Sequence, residues 1–296
     1  MANNNSEIYP LARDEAESTR LNAQHKLLVD IVGGSIAKSI PLGGISSVAD
    51  VGTGTGIWLL DAQAQITTTH PPEAGTGVEE RWRTFHGFDI SASQFLPDPE
   101  THGVSLSVHD ILQRFPEEHR NRYDLVHVRM LVTALKVAEY EVAVRNLVEM
   151  LKPGGYLQWT DLDSSRLSTT STSSGSTDPR ASLLIRSWLK FHDLNGLSTC
   201  PGTPIESAYR ASGLRDISST TYPVRGRAEL TERAQAWEIQ AFSAVLPPVL
   251  LSTGEVGSPE EAGERAKRAI EGVKEYFDDG EVLDLRFGVV VGRKAA

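Results

Sequence analysis

Short apolar runs, each closed by a turn signal, alternate with stretches of helical period across residues 46–163, and this predicts strands and helices in turn. Val48-Ala49-Asp50-Val51 reads as a strand buried on both faces. It runs through Gly52-Thr53-Gly54-Thr55-Gly56 into Ile57-Trp58-Leu59-Leu60, the opening of a helix. Residues 84–91 predict a second strand that ends at Asp89, and residues 104–111 a third, alternating strand that ends at Asp110. Residues 123–131 predict a fourth. A helix then runs to about Met150, where Pro153 and Gly154-Gly155 stop it and start a fifth strand.

The flanking regions are read the same way. Residues 14–39 have a helical pattern with Leu21, Leu28 and Ile31 on a recurring face, a candidate lid. Residues 164–178 are nearly all Ser and Thr and predict a surface loop. A helix over 181–197, a short helix ending at Gly213 and a strand over 214–222 follow. Residues 229–277 predict helices interrupted at Pro247-Pro248 and around 254–259, and residues 285–291 a last strand antiparallel to its predecessor. No internal repeat is visible.

Composition narrows the function classes. The 296 residues are 40% hydrophobic, enough for a substantial core. A net charge of −10 and no Lys/Arg cluster disfavour a nucleic-acid partner. A single cysteine, Cys200, cannot form an intramolecular disulfide, and the polar, acidic N-terminus lacks a secretory pattern, so a cytoplasmic location is expected. No apolar run approaches a membrane span of ~18 residues, and no ligand spacing suggests a metal.

The glycine turn carries the chemistry. Glycines let the backbone turn sharply and approach a ligand, and a helix start offers free N–H groups. A dinucleotide fingerprint would need a small residue where Ile57 stands, so pyrophosphate binding loses ground. The actual D-x-G-x-G-x-G, Asp50 to Gly56, resembles the cofactor loop of class I S-adenosylmethionine-dependent methyltransferases. Together with "FHGFDIS", "YDLVHVRML" and "LKPGGYLQW", it is similar to the fungal methyltransferases of secondary metabolism, including the toxin-cluster regulator group. "EAESTRLNAQH" and "ESAYRASGLRDISSTTYP" extend the resemblance over most of the chain.

The resemblance implies an α/β fold: a Rossmann-like, seven-stranded class I methyltransferase sheet flanked by helices, with helical lid insertions. One domain is expected, with a lid at 1–45, a cofactor core at 46–163, a loop at 164–180 and a substrate roof with the last two strands at 181–296. It implies S-adenosyl-L-methionine as cofactor, held by Asp50, Gly52, Thr53, Gly54, Gly56, Asp89, Ile90, Asp110, Ile111, Arg129 and Arg20. Asp50 would face the cation-bearing ligand, Asp89 the ribose diol, and Asp110 with Ile111 the adenine. Asp89 lies about 37 positions after Gly52 rather than ~20, which an insertion over 67–80 explains. Arg20, Gln24 and His25 match a polar stretch of the family and become lid contacts.

Methyl transfer from a sulfonium needs mainly alignment and dryness, but a hydroxyl acceptor also needs a base. His192 on the roof, and Asp161 and Asp163 after strand five, compete for that role; each aspartate has an equal reading as a solvated or capping carboxylate. His127 reads first as a structural histidine sharing a strand face with Leu125 and Arg129. Arg129 reads equally as a carboxylate holder and as a salt-bridge residue. Trp159 and Trp188 are candidate apolar walls, more often core. The expected activity is methyl transfer to a hydroxyl, or an amine, of a small natural product, by a monomer or homodimer. The alternatives are a pericyclase- or dehydratase-type enzyme that uses the sulfonium charge, and a non-enzymatic regulator.

Overall fold

A computed structural model describes residues 14–69, 83–167 and 178–296. The chain's first 13 residues, most of the expected 67–80 insertion and most of the Ser/Thr loop lie outside the described residues. Seven strands form one sheet: β1 (Ser47–Val51), β2 (Thr84–Asp89), β3 (Ser105–Val108), β4 (Tyr123–Arg129), β5 (Leu151–Asp163), β6 (Arg215–Pro223) and β7 (Arg286–Arg293). Their order is β3-β2-β1-β4-β5-β7-β6. β1 to β5 are parallel, whereas β7 runs antiparallel between β5 and β6. The expected antiparallel pairing of the last strand with its predecessor is therefore found, with a second partner on its other edge.

Helices cover both faces, as parallel strands apolar on both sides require. On one face, α2 (Ile57–Thr69) packs Trp58, Leu59 and Ile66 on Val48, Leu125, Val289 and Val291. On the other, α3 (Tyr140–Met150) and α5 (Gly202–Ala211) set Tyr140, Leu147 and Tyr209 against Val51, Val128, Trp159 and Val290. Each such large buried side chain contributes ~1.5–3 kcal/mol relative to exposure. A third cluster joins α1 (Glu15–Val32), α4 (Ser182–Asn195), α6 (Ala228–Ser252) and α7 (Pro259–Asp278) to Leu162 and Phe287 on the α2 face of the sheet. The helices α4, α6 and α7 of the segment expected as a roof come together in this cluster.

Three boundaries differ from expectation for local reasons. α1 starts where Asp14 accepts a hydrogen bond from Glu17 N at 2.9 Å, and it stops at Val32 rather than Ser39 because Gly33 (φ 87°) and Gly34 (φ 146°) turn away from helix. α2 continues through Thr67 to Thr69, so the insertion begins later than expected. Pro247 and Pro248 do not interrupt α6. A proline's φ suits a helix, and buried Val245, Leu246, Val249 and Leu250 on either side hold the segment where two N–H donors are missing.

Candidate active site

The glycine loop is built for close approach. Gly52, Gly54 and Gly56 have φ of 75°, 54° and 79°, the left-handed region that favours glycine. Gly52 N and Thr53 N both donate to Phe88 O, at 2.8 and 3.0 Å, tying the loop to the end of β2. Gly87, which the sequence reading passed over, belongs to the same fit: a Cβ there would stand 2.7 Å from Thr53 Oγ1 and 2.6 Å from Leu106 Cδ2.

Asp50 supports this loop from below. It is 1% exposed, accepts from Thr53 Oγ1 at 2.7 Å and faces His127 Nδ1 at 2.8 Å. That geometry runs against the expectation that Asp50 opens toward the ligand's cation. His127 takes its structural reading: its ring stacks on Trp58 with centroids 3.6 Å apart. Burial pushes its pKa down to about 4, outweighing the neighbouring Asp50, so the ring is neutral and Nδ1 carries the proton shared with Asp50. Thr53 serves the scaffold as well.

Asp89 stands at the end of β2, half-buried, with Oδ2 accepting from Gly54 N at 2.9 Å and Oδ1 from Ser91 N at 3.2 Å. A carboxylate is thus fixed at the carboxyl ends of the parallel strands, where ligands of such sheets bind. Beside it Ile90 is 57% exposed and, on the next strand, Val108 is 59% exposed. Asp110 is half-buried and accepts from Leu112 N at 2.9 Å, a turn-forming contact. Ile111 packs against the α3 cluster and gives its carbonyl to Asn146 Nδ2 at 2.9 Å.

α1 closes over the loop. Asn22 Oδ1 accepts from Thr55 Oγ1 at 2.7 Å, and Leu21 Cδ1 lies 3.4 Å from where a Cβ on Gly54 would stand. The sequence reading missed Asn22 and Thr55 as partners, because their pairing spans two elements. Arg20 forms a buried, two-pronged ion pair with Glu17 at 2.6 and 2.7 Å, so its guanidinium is engaged within its own helix. Arg129 Nη1 donates to His25 Nδ1 at 2.8 Å, and His25 Nε2 faces Asp61 Oδ2 at 3.5 Å. Asp61 also accepts from Ser35, and its pKa is lowered chiefly by His25. Arg129 therefore links the end of β4 to the lid, with its pKa lowered by burial and opposed by Asp50 and Asp61.

The three candidate bases separate. Asp161 is buried on the face of Trp159, away from the roof, and accepts from Leu131 N, Val132 N, Trp159 Nε1 and Leu162 N at 3.1, 3.3, 3.1 and 2.9 Å. It pins the turn after β4. Burial still pushes its pKa up to about 6. Asp163 follows its capping reading, accepting from Ser165 N at 2.9 Å and Oγ at 2.6 Å. Both border a hollow of about 220 Å³ with Cys200, Thr203, Glu206 and Thr221.

His192 is in the roof, 1% exposed, with Nδ1 2.9 Å from Trp188 O. A carbonyl only accepts, so Nδ1 carries the proton. Burial lowers the pKa, the ring is neutral, and Nε2 is left as a buried lone pair with no hydrogen-bond partner. Trp188 is a core residue of the same cluster, its Nε1 donating to Ser164 Oγ at 3.0 Å. Glu238 of α6, 3% exposed with Oε2 unpartnered, was not anticipated; the only signal was one acid within the apolar run Ala236-Trp237-Glu238-Ile239.

Residues 22–219 match the methyltransferase-domain family. The chain belongs to the S-adenosylmethionine-dependent methyltransferases. The methyltransferase grgD of a Penicillium species is 31% identical over 97% of this chain and 96% of its own length. The N-methyltransferase sirN of Leptosphaeria maculans is 32% identical over 51% of this chain and 48% of its own. An O-methyltransferase family protein from Burkholderia thailandensis shares the fold, at a TM-score of 0.50 and 14% identity over 96% of this chain and 60% of that one. Among the described residues of this methyltransferase, no helix is long and apolar enough to cross a membrane, and no group of three or more His, Cys, Asp or Glu could hold a metal.

Proposed function

We propose that this methyltransferase moves the methyl group of S-adenosylmethionine onto a hydroxyl of a small natural product of fungal secondary metabolism. The observation that carries the reading is the cradle at Gly54 and Asp89, closed from above by Asn22 on Thr55. Asp89 stands at the end of β2, where a carboxylate suits a ribose diol, and the exposed Ile90 and Val108 beside it fit a flat, apolar-faced base. When bound, the cofactor supplies an electrophilic methyl on a positively charged sulfur.

The chain's own residues do the rest. Asp89 orients, α1 keeps water out, and Arg129 at the end of β4 offers positive charge to a carboxylate. His192 Nε2, a bare lone pair in a neutral ring, suits a general base. In such a transfer His192 Nε2 would take the proton of the acceptor hydroxyl.

Nitrogen is the second reading, favoured by the names of the relatives sirN, verN and gliN, all N-methyltransferases. A neutral amine attacks with its own lone pair and loses its proton afterwards. A screen with isotopically methyl-labelled cofactor separates the readings. Label in an oxygen-methylated product, with turnover falling ~10²-fold or more in His192→Gln at unchanged adenosylhomocysteine affinity, supports the first. Near wild-type turnover in that variant supports nitrogen. Product of unchanged mass with the cofactor unconsumed would sink methyl transfer.

A further inference from the structure

Arg129 ends β4, and the register of β4 on β1, with Val128 opposite Val51, sets it beside Gly52, the first glycine of the loop. It shares a strand face with His127, whose ring lies on Trp58, so its side chain leaves the sheet on the α2 side. The residue is half-buried. Among the described residues its guanidinium has one hydrogen bond, from Nη1 to His25 Nδ1 at 2.8 Å, and no carboxylate at ion-pairing distance. Arginine carries five N–H donors and a permanent charge, so a guanidinium withdrawn from water and given one neutral partner is fitted to an anion.

The His25 contact is itself held in place. Arginine only donates, so His25 Nδ1 is a lone pair and the ring's proton is on Nε2. Nε2 faces Asp61 Oδ2 at 3.5 Å, and this contact is the main reason the Asp61 carboxyl lies below its usual range. Ser35 Oγ donates to the same Asp61 oxygen. The Ser35 carbonyl accepts in turn from Trp58 Nε1 at 3.0 Å and Gln158 Nε2 at 2.9 Å, which ties this chain of contacts to α2 and β5. α1 then carries it to the glycine loop: Leu21, one turn before His25 on the same helix face, has its Cδ1 3.4 Å from where a Cβ on Gly54 would stand. Strand register and helix face thus put the Arg129 guanidinium at the loop independently of each other. The anion that the cofactor brings there is its amino-carboxylate.

We propose that His25 is a positioning residue for Arg129: backed by Asp61 on Nε2, it holds the guanidinium with Nδ1 so that the remaining N–H groups meet the carboxylate of S-adenosylmethionine. The proposal deepens the methyltransferase reading and rests on Arg129 facing a carboxylate.

Calorimetric titration with two ligands tests it. Adenosylhomocysteine has the amino-carboxylate; methylthioadenosine has the nucleoside and the thioether without it. Arg129→Leu and His25→Leu should each weaken adenosylhomocysteine ~10-fold or more and methylthioadenosine by no more than about twofold. His25→Asn, whose amide oxygen can stand where Nδ1 stands, should recover adenosylhomocysteine binding to within about threefold of wild type. Unchanged adenosylhomocysteine affinity in Arg129→Leu would break the carboxylate reading on which the proposal rests. A loss in Arg129→Leu without one in His25→Leu would overturn His25 alone. Equal weakening of both ligands in His25→Leu would mark His25 as a packing residue of α1 and overturn the proposal, as would a loss in His25→Asn as deep as that in His25→Leu. Solution NMR gives a further check: the imidazole nitrogen shifts of His25 should place the proton on Nε2, and a proton on Nδ1 alone would overturn the arrangement.

Discussion

Asp161 under the sheet and Glu238 in the roof are both buried carboxyls with raised pKa values, yet one takes four hydrogen bonds and the other has an oxygen with none. The first is bound into the backbone it organises. The second keeps one oxygen without a hydrogen-bond partner among the described residues. Burial and a perturbed pKa therefore do not by themselves tell whether the protein supplies a carboxyl's partners.

The largest effect expected from this contrast is at Asp161. Replacing it by leucine strips acceptors from three backbone N–H groups and the Trp159 indole, and urea unfolding should show a loss of about 3 kcal/mol or more. A neutral result would erase the difference between the two regions.

The pH dependence of Asp161 comes next. Its folded pKa, about 6, lies above the unfolded value near 3.8, so the folded state binds more protons between them. The contribution is fully present below the unfolded pKa and fades as pH rises through the folded one. Wild type should thus lose roughly 2 kcal/mol relative to Asp161→Asn between pH 4 and pH 7. Parallel stability curves for the two proteins across that range would contradict the raised pKa.

Asp89 stands between the extremes, bonded to Gly54 N and Ser91 N and placed at the carboxyl ends of the strands. Asp89→Ala should weaken adenosylhomocysteine binding by about 1.5–3 kcal/mol, one to two decades, with the fold intact. Wild-type affinity in calorimetry would return Asp89 to the scaffold class. Asp163, half-buried and accepting from the neighbouring Ser165 within its own turn, gives the smallest effect: Asp163→Ala should shift stability by no more than about 0.5 kcal/mol and leave turnover unchanged. A large loss of turnover would restore it as a base.

Much of the architecture was legible because it is written in local chemistry. Buried strands, a glycine turn, an acid at the end of β2 and a Pro-Gly-Gly stop each have a short-range cause, and they lie in the order the sheet requires. Asp163's capping role and His127's structural one could also be read from position. The direction of Asp161 was legible in principle: strand alternation puts it with Trp159 and opposite Leu162, which faces the roof. What could not be read was pairing across distance. The Asn22 contact with Thr55 spans 33 residues, and Arg129 with His25 spans 104. Arg20 was read as a ligand contact because nothing in the sequence says that Glu17, three positions back, occupies it.

The place of β7 has a consequence for how the chain acquires its shape. Among the described residues β6 pairs with β7 alone, and β7 in turn leans on β5. During synthesis β5 must therefore wait, with one edge unpaired, until more than a hundred further residues have been made. Such a delay over a long sequence separation is slow and leaves a strand edge open to wrong partners. Helices α4 to α7 are made within that interval, between β5 and β7. Their packing on the two faces of the waiting sheet can shield it, so helices of the finished core would first serve as a cover for an unfinished fold.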